Sequence, residues 1–225
     1  MEIVKSWIKV EEFNGVEIMK KIERACRTCY RSEGAITEDS YKKLLTNCIN
    51  SGHESVLEHE KISVHMLCDV GAYKDLTRHR TGIAFSIEST RFCNYSKDKY
   101  TNNIKFIDPV FITDEKNYAC WKNAMEQIEK NYMLMGQNNA RVDELRMLLP
   151  HSAAGEVTMT CNIREWRHIL SLRTSKRVHP SIRQLMIPLL LKFKEEMPEI
   201  FNDIAYDEDF PKEWYAELKT LEKIS

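Results

Sequence analysis

Glycine and proline are scarce, with 7 and 6 in 225 residues. Flexible Gly/Ser linkers, low-complexity tracts and repeats are all absent, and no domain boundary is visible. The longest apolar run, Met186 to Leu191, falls far short of a bilayer span. The start, Met1-Glu2-Ile3-Val4-Lys5, has no apolar stretch of the kind an export signal uses. Seven cysteines, an odd number without such a signal, predict reduced thiols and a cytoplasmic protein. Charge of one sign is also missing: 33 Lys+Arg against 34 Asp+Glu leave a net charge of -1. A bulk polycation for nucleic acid is therefore excluded, although a local basic patch is not. There is no G-x-G-x-x-G and no P-loop, so a bound nucleotide has to be held by side chains.

What the chain does have is 43% hydrophobic and 30% charged residues, the balance of a globular protein. One domain over 1–225 is expected. Helical periods run over Glu17–Tyr30, Thr37–Asn50 with Thr37 as N-cap, Thr113–Met135 and Asn139–Leu149. Further helices follow from Asp69 as a cap to about Arg80, from Asn162 to about Ser175, and from Pro180 to about Met197. Strands are expected at Lys61–Cys68, Lys105–Ile107 and Val157–Cys161, while residues 81–100 show no clean period. The strands are not spaced as βαβ units. The fold class is α/β of the α+β type, an antiparallel sheet flanked by several helices.

Three clusters stand out. Arg78-His79-Arg80 is followed by Ser86, Ser89, Thr90 and Arg91. Arg forks, hydroxyls and backbone amides together suit a phosphate, and they equally suit a solvated basic helix end. Asn162, Arg164, Arg167, His168, Arg173, Arg177, His179 and Arg183 crowd cations at helical spacing, with Glu165 the sole acid between Asn162 and Gln184. Asn162, Arg173 and Arg177 fall roughly on one helical face. Such crowding fits a bound anion, or a helix packed through Trp166, Ile169, Leu170 and Leu172 with a basic outer face. Gly52-His53-Glu54-Ser55-Val56-Leu57-Glu58-His59 invites a metal, but two His six apart do not make HExxH, and no metal is assigned. Cys26-x-x-Cys29 has no second CxxC and reads as helix cysteines.

Taken in order, these blocks resemble the flavin-dependent thymidylate synthases, the ThyX family. Its signature is RHR, seven or eight residues, then Ser, matched by Arg78-His79-Arg80 and Ser89 with Arg91 and Phe92 following. Gly52-His53 with Ser55, Glu58 and His59 matches the family's GHxSxxEH-like block. Ala25-Cys26-Arg27-Thr28-Cys29-Tyr30 resembles its ARTCY-like helix. Arg146-Met147-Leu148-Leu149-Pro150 resembles its R-x-x-L-P segment. Asn162-x-Arg164-x-Trp166-Arg167-His168 with Leu172-Arg173, then His179-Pro180-Ser181-Ile182-Arg183, complete the series from about residue 15 to 200.

The resemblance implies tightly bound FAD, dUMP as substrate, and methylenetetrahydrofolate and NADPH as co-substrates. It implies a homotetramer whose active sites are shared between subunits, with neither nucleic acid nor membrane as partner. By family position, His53, Ser55, Glu58, Arg78, His79, Arg80, Asn162, Arg164, His168, Leu172 and Arg177 are implied at the flavin. Asp75, Arg78, Glu88, Ser89, Thr90, Arg91, Arg146 and Arg173 are implied at dUMP, with Arg173 as the catalytic residue beside the uracil ring. The chain departs from the pattern at Asp75, where Gln is frequent, at Ser86-Ile87, where Asn-Glu is frequent, and at Arg177, where some members have His. Thymidylate synthases that attack uracil with Cys place it after Pro, and no Cys here follows Pro. The implied reaction is reductive methylation of dUMP to dTMP with hydride from reduced flavin. Two other classes remain: a nucleotide- or nucleic-acid-binding protein using the basic helices, and a metal-dependent nucleotide hydrolase using His53, Glu58, His59 and Asp69.

Overall fold

A computed structural model describes residues 1–97 and 102–221. Its strands are β1 (Glu2–Val4), β2 (Trp7–Glu11), β3 (Lys61–Asp69), β4 (Ile83–Ile87), β5 (Lys105–Ile107), β6 (Ala154–Asn162) and β7 (Glu217–Leu221). Its helices are α1 (Gly15–Thr28), α2 (Ser40–Asn50), α3 (Val70–Leu76), α4 (Glu115–Gln137), α5 (Val142–Leu145), α6 (Ile163–Arg173), α7 (Pro180–Glu196) and α8 (Pro198–Phe201). A 3-10 stretch, Glu54–His59, leads into β3.

The period-two pattern of β3 explains the centre of the sheet. Ile62, Val64, Met66 and Cys68 are buried on the face that the helices cover. On the other face Ser63 bonds Thr160 at 2.9 Å, and His65 Nδ1 lies 2.9 Å from the Thr158 hydroxyl. The main sheet has the order β4-β6-β3-β2-β7. It is antiparallel from β4 to β2, whereas β7 joins parallel to β2 and the separate pair β1-β5 is also parallel. The sheet is therefore mixed at its edge rather than antiparallel throughout.

Two cores result. The larger lies between the sheet and α1, α2, α6 and α7. At its centre Trp166 is fully buried, donates from Nε1 to the Ile62 carbonyl at 3.0 Å and meets the Phe193 ring edge to face at 5.6 Å. The smaller gathers Ile104, Phe106, Met125, Tyr132 and Leu145 beneath α4 and α5.

Most expected elements form, with changes that have physical causes. Asp69 caps α3, accepting from the Ala72 amide at 2.7 Å, but the helix stops at Leu76, so Arg78-His79-Arg80 lies beyond it. Thr37 is not an N-cap: α2 starts at Ser40, whose Oγ accepts from the Thr37 amide at 2.9 Å. The expected helix Asn139–Leu149 shrinks to α5 and a 3-10 turn, because Asn139 takes φ 60° and Pro150 disfavours helix before it. Residues 83–87 become β4 through pairing with β6, a long-range contact that leaves only a weak local period. Helix α6 ends at Arg173, so Arg177 does not share a helical face with Asn162 and Arg173. No helix among the described residues is long and apolar enough to cross a membrane.

Candidate functional site

The β3–β6 register sets Lys61 opposite Asn162 and Asp69 opposite Ala154. Helix α6 therefore leaves the sheet where β4 begins. Asn162 caps α6, its Oδ1 accepting from the Glu165 amide at 2.8 Å, while its own amide donates to the Gly82 carbonyl at 3.0 Å. Gly82 has φ 63°, and a Cβ there would lie 2.1 Å from Asn162 Nδ2. Only glycine allows the chain to turn this closely between the Arg-His-Arg segment and the start of α6.

This turn brings the first group of site residues together. His79 is 7% exposed. Its Nε2 accepts from Arg173 Nε at 3.0 Å, and Arg173 Nη2 donates to the Asp75 carbonyl at 3.1 Å. Glu165 Oε1 stands 3.3 Å from His79 Nδ1, and the His168 ring meets the His79 ring edge to face at 5.6 Å. Burial, then the charge of Arg173 and the neighbouring His168, push His79 down to about 4. Its imidazole is neutral at physiological pH. Burial raises the Glu165 carboxyl.

The Asp75 residue also lines a cavity of about 440 Å³ with Trp121, His151 and His179, apart from its carbonyl contact with Arg173. His179 caps α7, its Nδ1 2.6 Å from Ser181 Oγ. Arg167 is buried and structural, held by Glu54, Asp203 and the Ile200 carbonyl. Arg183 pairs with Asp207 and covers the Phe210 ring. Much of the basic cluster is thus accounted for by packing.

His53, Ser55 and Arg164 line a hollow of about 490 Å³ with Cys26 and Cys48. Arg164 pairs with Glu58 at 2.6 Å, and His53, Ser55 and Glu58 are exposed. A neighbouring hollow of about 420 Å³ carries Glu58, His59, Gly82 and Asn162. Leu172, expected partly as packing, is 49% exposed.

A second group lies off the end of β4. Glu88 Oε1 accepts from the Tyr95 hydroxyl at 2.7 Å and Oε2 from the Glu156 amide at 3.2 Å. Burial and Glu88 raise the Tyr95 phenol. The next residues turn: the Cys93 amide donates to the Ser89 carbonyl at 2.9 Å and the Arg91 amide to Ser89 Oγ at 3.3 Å. Thr90 is half-buried in this turn. Arg91 Nε lies 3.3 Å from Asp143 on α5, and Arg146 is exposed just beyond. Glu88, Tyr95, Glu156 and Thr158 line a hollow of about 610 Å³.

The guanidinium groups of Arg78, Arg80, Arg146 and Arg177 make no ion pair among the described residues. Exposed cations without a carboxylate are available to an anion, in contrast to Arg167 and Arg183.

His53, Glu58, His59 and Asp69 are not drawn into one metal-binding group. Among the described residues the donors that converge within 4.8 Å are His79, Glu165 and His168. Arg173 donates into that group, which sets a cation against any metal. Sequence reasoning misses Glu165 and Asp143 as site neighbours. The signal for Glu165 is visible, since it is the sole acid in a basic stretch; Asp143 is joined to the site only by folding.

Comparison with known proteins matches residues 16–199 to the family described as "Thymidylate synthase complementing protein". A flavin-dependent thymidylate synthase from Pyrococcus abyssi is 28% identical over 170 residues, covering 73% of this chain and 68% of that one. One from Corynebacterium efficiens is 26% identical over 204 residues, covering 83% and 79%. The structure of thymidylate synthase X from Helicobacter pylori with FAD and dUMP superposes with a TM-score of 0.71 at 21% identity, covering 88% of this chain and 98% of that one. A UMP/dUMP methylase from Streptomyces cacaoi bound with 5-Br dUMP gives 0.72 at 19% identity, covering 90% and 96%. The two structures establish a shared fold.

Proposed function

The chain belongs to the thymidylate synthase complementing protein family, and we infer that it is a flavin-dependent thymidylate synthase working as one catalytic domain over 1–225. It methylates dUMP to dTMP and uses FAD. Methylenetetrahydrofolate is the carbon donor, NADPH the reductant, and the enzyme is a cytoplasmic homotetramer with shared active sites.

The donor set suits FAD. A pyrophosphate needs cations, and Arg78, Arg80 and Arg177 are exposed and uncommitted. A flat apolar ring needs a surface, which the exposed Leu172 beside His168 offers. His53, Ser55, Glu58, His79, Asn162 and Arg164 complete the flavin set, with His79 acting from behind Arg173. When bound, the flavin supplies the hydride, so the protein needs no nucleophile of its own.

The protein binds, orients and supplies charge. Ser89, Thr90, Arg91 and Arg146 hold the dUMP phosphate and sugar, with Glu88 and Asp75 shaping the walls and Arg78 between the two ligands. Arg173 is a fixed cation for the negative charge that develops on uracil. Its direction is set before substrate arrives, by His79 on one side and the Asp75 carbonyl on the other. That preset Arg173 is the observation that carries the reading.

Arg173 is held by His79 and Arg91 by Asp143; the site shared between subunits rests on the family resemblance. The test is the visible spectrum of purified protein after FAD is added and the excess removed. A retained flavin spectrum that shifts with dUMP is expected; no retained flavin after reconstitution overturns the reading.

A further inference from the structure

Glu165 occupies the third position of α6, and its side chain faces inward at 8% exposure. A glutamate at that position commonly accepts the amide of the N-cap residue. Here the Asn162 amide already donates to Gly82, so that structural use is closed. The Glu165 carboxylate instead stands 3.3 Å from His79 Nδ1.

The other ring nitrogen fixes the chemistry. Arg173 Nε–H donates to His79 Nε2 at 3.0 Å. A guanidinium keeps its protons, so Nε2 has to be the bare, accepting nitrogen. The single proton of the neutral imidazole then sits on Nδ1, the nitrogen that faces Glu165. With the opposite tautomer, Nε2–H would meet Nε–H, and Arg173 would lose its side support. A second-sphere carboxylate is the standard means of holding one imidazole tautomer.

We propose that Glu165 is a positioning residue: its carboxylate holds the His79 proton on Nδ1, which leaves Nε2 to accept from Arg173 and aims the guanidinium. The catalytic part of this inference rests on the role given to Arg173 above; the tautomer part does not. The groups facing His79 are Arg173, Glu165 and His168 from α6, and the Asp75 carbonyl at the end of α3 receives Arg173. Of these, only Glu165 is placed to accept the Nδ1 proton.

The test joins a tautomer measurement to kinetics. Protein labelled with 15N-histidine is examined by two-dimensional NMR near neutral pH, with His79 assigned by its loss in His79→Gln. Native protein is expected to show Nδ1–H. Glu165→Ala, which removes the acceptor, is expected to shift His79 toward Nε2–H or a mixture, and Glu165→Gln, whose amide oxygen can still accept, to shift it less. In FAD-loaded enzyme, Glu165→Ala should retain the flavin spectrum and lower kcat by about 10- to 100-fold, with a smaller change in KM for dUMP, the scale of a misaimed group. Glu165→Asp should recover part of that loss. An Nε2–H tautomer in native protein, or an unchanged tautomer in both Glu165 variants, overturns the proposal. A tautomer switch with kcat unchanged overturns the positioning role. A tautomer switch in a protein that makes no dTMP even when native and flavin-loaded leaves the Glu165–His79 relation standing and sinks the thymidylate synthase reading instead.

Discussion

The two halves of the site differ in how far one chain finishes them. Around α6, Arg173, His79 and Glu165 interlock within 3.0 to 3.3 Å, half or wholly buried. Beyond β4, Arg91 leans on Asp143 at 3.3 Å with both side chains largely exposed, and Arg146 has no ion pair among the described residues. The first half is set in advance by these contacts, and the second is left exposed. Preorganised charge suits the group that meets a transition state, whereas a phosphate grip can close on its ligand.

Mutations should expose that difference. Arg173→Ala should have the largest effect, a loss of kcat worth on the order of 3 kcal/mol with flavin still bound; equal turnover would refute the catalytic role. Arg91→Ala should weaken dUMP by about 2–4 kcal/mol, seen as a raised KM or Kd. Unchanged dUMP affinity would remove Arg91 from the phosphate site.

Acid should act on the finished half. His79 titrates at about 4 in the fold against an ordinary value of 6.5. Between these limits the unfolded chain binds the extra proton, so stability falls as pH drops from about 6.5 toward 4, by on the order of 3 kcal/mol at most. The loss should shrink in His79→Gln, which isolates it from the acid titration of Glu165. Denaturant midpoints across this pH range check it, and an equal slope in both proteins contradicts it.

Smaller effects follow at the supports. Asn162→Ala removes the α6 cap and should cost about 1 kcal/mol of stability. Asp143→Asn breaks an exposed ion pair and should change stability by less than about 1 kcal/mol. By freeing Arg91 it should leave dUMP binding equal or slightly tighter in titration.

Both halves are legible in sequence as residue blocks, but not as contacts. Arg78-His79-Arg80 with Ser89 and Arg91 carries a spaced signature that reaches into both halves, Arg173 closes the block that begins at Asn162, and the strand period of β3, the cap Asp69 and the helix start at Asn162 are readable because they are local. The contact of His79 with Arg173 spans 94 residues and leaves no local mark. Helices α3 and α6 end at Leu76 and Arg173, earlier than their sequence patterns suggest, which takes Arg177 off the α6 face. Strand β4 and the parallel β7 depend on partners far along the chain, which a local period does not report. Glu165 was visible as a lone acid, yet only the fold shows that it turns toward His79.

The most direct measurement is dTMP formation from dUMP by the flavin-loaded protein supplied with methylenetetrahydrofolate and NADPH. The account predicts dTMP that requires FAD and NADPH oxidation and is abolished or nearly so in Arg173→Ala. Flavin-loaded, folded protein that yields no dTMP would contradict it.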